Sequence, residues 1–255
     1  MLPAERKRRI VELVSDSDGR SVEALASDLG YSKATIRRDL RELEDRGLIE
    51  RSHGGAVPVT SVSREQTYGE KEVQNLDAKR AIAEQATGEL ASGQVVFFDA
   101  GTTTIQIAKQ VPNDGGILGV TNSPRLAIEL NDEDNEVKLT GGTLRRRTRS
   151  LVGPTAEAFM QRTNFDLLFL GTNAIDVKSG LTTPNEDEAR LKELMVEKAA
   201  RVVLVADESK LGRRSFVQFA SFEDVDRFIT DAVIDGETRD ELENADVDIV
   251  DGVGR

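Results

Sequence analysis

Three arginines set the first chemical possibility in this chain. Arg37, Arg38 and Arg41 lie in the stretch SKATIRRDLRELEDR, residues 32–46. Turned at roughly 100° per residue, that stretch gathers Ile36, Leu40 and Leu43 within about 60° of one another. Ala34 and the three arginines fall on the opposite side. A guanidinium offers a fork of donors that fits the O6 and N7 of guanine, or a phosphate. Ser32 is a good N-cap, its hydroxyl able to accept from a first-turn N–H. A short helix anchored on one face and arginine-rich on the other suits a DNA major groove. The competing reading is an ordinary amphipathic helix with solvated arginines, and the neighbouring residues must decide.

A second set of polar residues recurs where apolar runs end. Asp99, Gly101, Thr102 and Thr103 follow one run, Asn122 and Ser123 another, Gly141 and Gly142 a third. Gly171 and Asp176 belong to the next, and Lys210 stands in DESK after VVLVA. Glycine lets a backbone come close, while threonine hydroxyls and N–H groups can hold a phosphate. A lysine at the end of a strand is well placed for an anion. None of these loops is a GxGxxG fingerprint or a Walker loop, so neither a nucleotide nor another cofactor is expected. Arg145-Arg146-Arg147-Thr148-Arg149 is a basic cluster that could meet a ligand phosphate, DNA, or only solvent.

Elements must hold these residues in place. Residues 5–14 read as a first helix, with Ile10, Leu13 and Val14 on its apolar face and the basic run Arg6–Arg9 at its start, a plausible phosphate contact. Residues 21–30 read as a short second helix closed by Gly30. A tight turn then leads to the Ser32 cap, a helix-turn-helix arrangement whose second helix enters the groove. Residues 48–51 and 56–57 read as two strands about a turn at 52–55, a wing whose contacts would be Arg51 and His53. Residues 58–68 are polar without periodicity and read as linker, and residues 70–90 as a helix. Beyond Gly93, apolar strands are expected at 95–99, 117–121, 136–140, 167–171, 202–206, 228–230 and 247–250. Helical segments alternate with them, the pattern of a mostly parallel α/β sheet. The expected division is a winged helix-turn-helix module over 1–57, a linker over 58–74 and an α/β effector domain over 75–255. In such sheets ligands sit outside the strands' carboxyl ends.

Composition narrows the class. The chain has 255 residues, no Cys and a single His, so neither a disulfide framework nor a cysteine or histidine metal cluster is expected. No run approaches the roughly 18 apolar residues of a membrane span, and the charged start is unlike a signal peptide. A cytoplasmic protein that meets no membrane is the simplest reading. Net charge is −12, unusual for a nucleic-acid binder. Residues 1–57 hold eleven basic and eleven acidic side chains, so the remaining 23 basic and 35 acidic residues carry the whole excess. Such an acidic body suits high internal salt, as in a haloarchaeal cell, and spares the end that would meet DNA.

The ordered stretch ELVSDSDGRSVEALASDLGYSKATIRRDLRELEDRGLIERSHGGA resembles the N-terminal signature of the deoxyribose-operon-repressor (DeoR) family of transcription regulators. DAGTT, VTNS, TGG, GLTTPNEDEA and VADESKLG then stand in the order of that family's effector domain. One departure is Tyr31 before Ser32, where the family commonly has a small or β-branched residue. The resemblance implies an effector domain with the fold of ribose-5-phosphate isomerase and operator binding by the first module. Ser32, Lys33, Ala34, Thr35, Arg37, Arg38, Arg41, Arg51 and His53 are the expected DNA contacts. A phosphorylated sugar effector would meet Asp99, Gly101, Thr102, Thr103, Asn122, Ser123, Gly141, Gly142, Arg145, Gly171, Asp176 and Lys210. The nearest likeness is to the family's glycerol-3-phosphate and fructose regulators, which points to repression of sugar or glycerol catabolism.

Two other classes were weighed. An isomerase would need a carboxylate base beside a carbonyl; Asp176, Lys178, Glu186 and Glu188 lie near one loop, but no isomerase needs the arginine helix and wing, and no catalytic residues are expected. An architectural DNA binder conflicts with the acidic body. Paired half-sites about one helical turn apart imply a homodimer or homotetramer.

Overall fold

The computed structural model describes residues 3–15, 20–45, 48–52, 54–57, 65–112, 116–131 and 136–255. The chain divides into two compact units, Met1–Ser61 and Val62–Arg255.

In the first unit, α1 (Pro3–Ser15) is followed by β1 (Arg20–Ser21), α2 (Val22–Leu29), α3 (Lys33–Asp45), β2 (Glu50–Ser52) and β3 (Gly55–Val57). The Ser21 hydroxyl caps α2 by accepting from Ala24 N at 3.1 Å. Gly30 ends that helix at φ 69°, a left-handed conformation that glycine adopts without strain. The Ser32 hydroxyl accepts from Thr35 N at 3.2 Å, so the expected cap of α3 is formed. Ile10, Val14, Val22, Leu25, Ile36, Leu40, Leu43, Ile49 and Ala56 make one core. The wing has three strands, not two: β1 pairs with β3, which pairs with β2, all antiparallel. Gly55 is where β3 passes β1, and a Cβ there would lie 2.2 Å from Arg20 O.

The second unit begins with ordered chain that had been expected to be linker. The hydroxyl of Thr67 and the carboxylate of Glu70 form a reciprocal capping box at the start of α4 (Tyr68–Val73). Residues 65–74 therefore belong to the body, and only 58–64 of the expected linker lie outside the described residues. The helix expected over 70–90 breaks at Asn75, whose φ is 50° and whose side-chain amide donates to Asp207 Oδ1 at 2.7 Å. Beyond the break runs α5 (Leu76–Thr87).

There follow β4 (Val95–Phe98), α6 (Thr104–Ala108), β5 (Leu118–Thr121), α7 (Pro124–Leu130), β6 (Glu136–Leu139), β7 (Thr143–Leu144), β8 (Leu151–Val152), α8 (Pro154–Met160) and β9 (Leu167–Leu170). Then come β10 (Ala174–Asp176), β11 (Gly180–Thr183), α9 (Glu186–Lys198), β12 (Val202–Val205), β13 (Val217–Ala220), β14 (Arg227–Ile229), α10 (Gly236–Asn244) and β15 (Asp248–Val250). All seven expected strands are present in one wholly parallel sheet of order β15-β14-β12-β9-β4-β5-β6. Its central strands are apolar on both faces because both are covered. Phe97, Leu168 and Leu204 pack with α8 and α9 residues on one side, and Val96, Phe98, Phe169 and Val205 with α5, α6 and α7 residues on the other. From β4 the chain proceeds outward through β5 and β6; from β9 it proceeds the other way through β12 and β14. The β4–β9 boundary is therefore a switch point, where the strand ends leave a crevice. An antiparallel sheet of β10, β11 and β13 and a β7–β8 hairpin add short strands beyond the seven expected.

Candidate functional site

Two places collect the candidate residues. On α3, Ile36, Leu40 and Leu43 are 0%, 0% and 1% exposed, while Ala34, Arg37, Arg38 and Arg41 face solvent. The helix is held in this rotation by a side chain that composition would send outward. Asp39 is buried, and the buried Arg6 of α1 grips it through Nε at 2.6 Å and Nη2 at 3.1 Å. The Arg6 guanidinium also lies 4.5 Å from the centre of the Tyr31 ring. The tyrosine that departs from the family pattern thus stacks on the arginine that fixes α3.

The basic run at the start of α1 is largely engaged within the module: Arg6 pairs with Asp39, Lys7 with Glu42, and Arg8 and Arg9 with Glu12. Lys33 pairs with Glu23 at 2.5 Å, and Arg51 lies 3.9 Å from Glu44. Ser32, Lys33 and Ala34 are exposed at the helix start and Thr35 is half-buried. Arg38 and Arg41 have no hydrogen bond or ion pair among the described residues. His53 and Arg46 lie outside them.

The second place is a pocket at the β4–β9 switch point. Asp99, Gly101, Thr102, Thr103, Asn122, Gly171 and Lys210 line it together, as expected of the strand-end loops. Thr104 shapes the β4 loop, its hydroxyl donating to Asp99 O at 2.6 Å, and Asn122 Oδ1 accepts from Ala100 N at 2.8 Å. The two halves of the sheet are joined where Gly171 N donates to Asp99 Oδ2 at 3.1 Å.

Five expected residues are placed elsewhere. Ser123 is spent as the N-cap of α7, accepting from Leu126 N. Gly141 and Gly142 border the β7–β8 hairpin, with Gly142 close against Val152 O. Asp176 closes its own turn by accepting from Lys178 N and Ser179 N. Arg145 stands behind the wall, ion-paired to Glu188 at 2.8 Å and to Glu65 at 2.6 Å. Arg146, Arg147 and Arg149 of the same cluster are exposed.

Other lining residues lay outside the expected effector contacts, Glu188 among them although GLTTPNEDEA contains it. Lys192 of α9 reaches across to the Asp99 carboxylate and donates to Gly171 O at 2.8 Å. Glu188, one turn earlier, accepts from Ser150 and Thr148. Burial pushes the Glu188 carboxyl up, but those hydroxyls and the Arg145 charge outweigh it and hold it below its usual range. Both could have been suspected from polar residues four apart within the apolar stripe of a helix. Tyr68 and Lys71 come from α4. Burial, with help from the nearby Lys210, pulls the Lys71 ammonium down to about 8. Burial likewise lowers Lys210, against the opposing charge of Asp207. Neither Lys71 nor Lys210 has a hydrogen bond or ion pair through its ammonium group among the described residues. The Tyr68 hydroxyl is buried without a partner. Among the described residues no group of three His, Cys, Asp or Glu side chains is placed to hold a metal ion.

Comparison with known proteins gives these two places their context. Residues 6–62 match the profile of the DeoR-like helix-turn-helix domain, and residues 74–232 that of the DeoR C terminal sensor domain. The chain is 82% identical to the HTH-type transcriptional regulator GlpR of Haloferax volcanii over the whole of both chains. It is 35% identical to a putative aga operon transcriptional repressor of Escherichia coli O157:H7, covering 97% of this chain and 93% of that one. A solved ribose 5-phosphate isomerase A from Methanocaldococcus jannaschii aligns with 54% of this chain and 55% of its own at 16% identity and TM-score 0.40, too slight a likeness to bear on function. With an arginine-faced helix-turn-helix at one end and a polar pocket in a sensor domain at the other, the chain belongs to the DeoR family of transcription regulators, binding DNA through the first and sensing a small effector through the second.

Proposed function

We propose that this regulator is a sequence-specific repressor of sugar or glycerol metabolism genes, controlled by a phosphorylated sugar or a related small phosphate. The observation that carries the effector reading is the pair of ammonium groups, Lys71 and Lys210, that border one pocket with no hydrogen bond or ion pair of their own among the described residues. Buried charge is tolerated when it is neutralised. A phosphate there would neutralise both, and the Thr102 and Thr103 hydroxyls offer it hydrogen bonds. Asp99, Gly101, Asn122 and Gly171 would shape the rest of the site, with Lys192 held on Asp99.

On the DNA side, Arg37, Arg38 and Arg41 would enter the major groove with Ala34 between them, while Ser32, Lys33 and Thr35 meet phosphates at the helix start. Arg51 and His53 would touch the neighbouring backbone from the wing. Two copies, as a homodimer or within a homotetramer, would set two recognition helices about 34–36 Å apart on the half-sites. Repression accords with relatives such as the putative aga operon transcriptional repressor of Escherichia coli O157:H7. A repressor of chromosomal genes would work in the cytoplasm.

The experiment is a thermal-shift panel of phosphorylated sugars, glycerol 3-phosphate and their unphosphorylated parents, with the full chain at high salt. A ligand at 100 times its dissociation constant should stabilise by about 2.7 kcal/mol. The same ligand should change affinity for an operator selected from random duplexes. Equal shifts by the unphosphorylated parents would remove the phosphate from the reading.

A further inference from the structure

The pocket is built from strand ends, the β7–β8 turn and α9, with one exception. Tyr68 and Lys71 arrive on α4, within the ordered arm 65–75 that directly follows the stretch 58–64 from the DNA-binding module. Several ties fasten this arm to the body. Arg125 donates to both carboxylate oxygens of Glu72, at 3.1 and 2.7 Å, and the Asn75 amide donates to Asp207 Oδ1 at 2.7 Å. Arg145 donates to both carboxylate oxygens of Glu65, at 2.6 and 2.9 Å. Tyr68 N donates to Arg147 O at 2.8 Å. Buried Lys79 reaches the carbonyls of Lys71 and Gln74, each at 2.6 Å.

Inside this well-satisfied frame, two polar groups are left over. The Lys71 ammonium has no hydrogen bond or ion pair among the described residues. Tyr68 is 4% exposed and its hydroxyl has no partner. Arg125 and Arg149 approach the Tyr68 ring at 5.0 and 5.5 Å from its centre, leaving the hydroxyl itself unused. The Tyr68 hydroxyl is a buried donor without an acceptor, which is costly and calls for an explanation, while the half-buried Lys71 borders the pocket. We infer that Lys71 and Tyr68 are effector contacts, and that through them the arm 65–75 passes occupancy of the pocket to the chain leading to the DNA-binding module.

The energetics favour this route over one through the sheet. A ligand shifts an equilibrium only by its differential affinity for the two states. The ends of β4, β9 and β12 are fixed in a seven-stranded core and offer a ligand the same contacts in either state. The arm is tied to the body by separate hydrogen bonds and ion pairs and not by strand pairing, so its two contacts can be made or lost as it moves. Arg145 is already placed to register such a shift, since it bridges Glu65 of the arm and Glu188 of the pocket wall. The inference rests on the reading of the pocket as an anion site.

The test uses the full chain with glycerol 3-phosphate and with inorganic phosphate as the minimal anion. Lys71→Met should weaken binding of both by tenfold or more, the scale of a lost charged hydrogen bond. Tyr68→Phe should weaken it several-fold while leaving the ligand-free melting temperature equal or higher, which a purely structural tyrosine would not do. Glu65→Ala, outside the pocket, should keep ligand affinity within about twofold yet lose the ligand's effect on operator binding. Hydrogen exchange at residues 66–74 should slow on adding phosphate. Parental affinity in both Lys71→Met and Tyr68→Phe, or an unchanged ligand response in Glu65→Ala, would overturn the inference while leaving the pocket reading intact. If neither anion stabilises the parent, the pocket reading fails, and this one with it.

Discussion

Arg6 and Arg38 show how one residue type is divided between structure and recognition. Arg6 is buried against Asp39, so Arg6→Ala should leave a buried carboxylate unpaired and destabilise the first unit by about 3–5 kcal/mol. Arg38 and Arg41 are exposed and have no hydrogen bond or ion pair among the described residues. Replacing either with Ala should cost about 1–3 kcal/mol of operator discrimination and move thermal stability by no more than about 0.5 kcal/mol. Unaltered operator binding in both variants would mean that another face of the helix meets DNA. At the pocket, the residue to titrate is Lys71. Its folded value of about 8 lies below the ordinary 10.5, so the unfolded chain binds more protons between those limits and stability rises with pH across that window. Lys79, pulled down to about 8 chiefly by burial, acts in the same direction. Phosphate binding should run the opposite way at its upper limb. A phosphomonoester becomes a dianion above about pH 6, and the lysine loses its charge above about 8. Affinity measured by calorimetry should therefore be greatest between those values, and a flat profile through pH 8 would take Lys71 out of contact with the ligand.

Elements differ in how plainly the sequence announced them. The seven parallel strands did so because each is a short apolar run ended by small polar residues, and strands covered on both faces need that pattern. The arginine face of α3 was visible because Ile36, Leu40 and Leu43 recur at helix spacing, and all three are buried. Strands of two residues such as β1, β7 and β8 have no periodicity to read. The arm was hidden for another reason: Glu65 is a polar residue of a kind that linkers share and its partner Arg145 becomes visible only in three dimensions, although Thr67 and Glu70 stand at the capping-box spacing that marks a helix start. Lys192 and Glu188 lay inside a helix, outside any strand-end loop. Arg145 was legible as part of a basic cluster, but its pairing with two carboxylates was not. The wing offers a direct test of packing at this scale. With a Cβ only 2.2 Å from Arg20 O, Gly55→Ala must push β3 away from β1. The first unit should lose about 1–3 kcal/mol and operator affinity with it, while the melting of the second unit stays unchanged. An unaltered wing by hydrogen exchange would show that β1 yields without cost.

The molecule as a whole presents DNA with an electrically divided surface. Its acidic excess of −12 lies entirely beyond residue 57, so that part repels a duplex at low ionic strength and is screened as salt rises. The first unit contributes little free positive charge to compensate. Arg6, Lys7, Arg8, Arg9, Arg20, Lys33 and Arg51 each have a carboxylate within 4 Å, which leaves Arg37, Arg38 and Arg41 among the described residues. Each phosphate neutralised contributes about −0.9 to the slope of log affinity against log salt. Two copies with three arginines each would give a slope of about −5, about −9 if Lys33 and Arg51 also turn from Glu23 and Glu44 to phosphates, and a shallower one for every arginine that reads a base instead of a phosphate. Screening of the acidic body flattens it further. Operator binding should therefore persist into molar salt, the condition under which an acidic surface is an advantage. Fluorescence anisotropy of a labelled operator across a potassium chloride series measures the slope directly. A value clearly steeper than about −10 would mean that Lys7 and the arginines of α1 also leave their carboxylates for phosphates on binding, and that the module rearranges when it meets DNA.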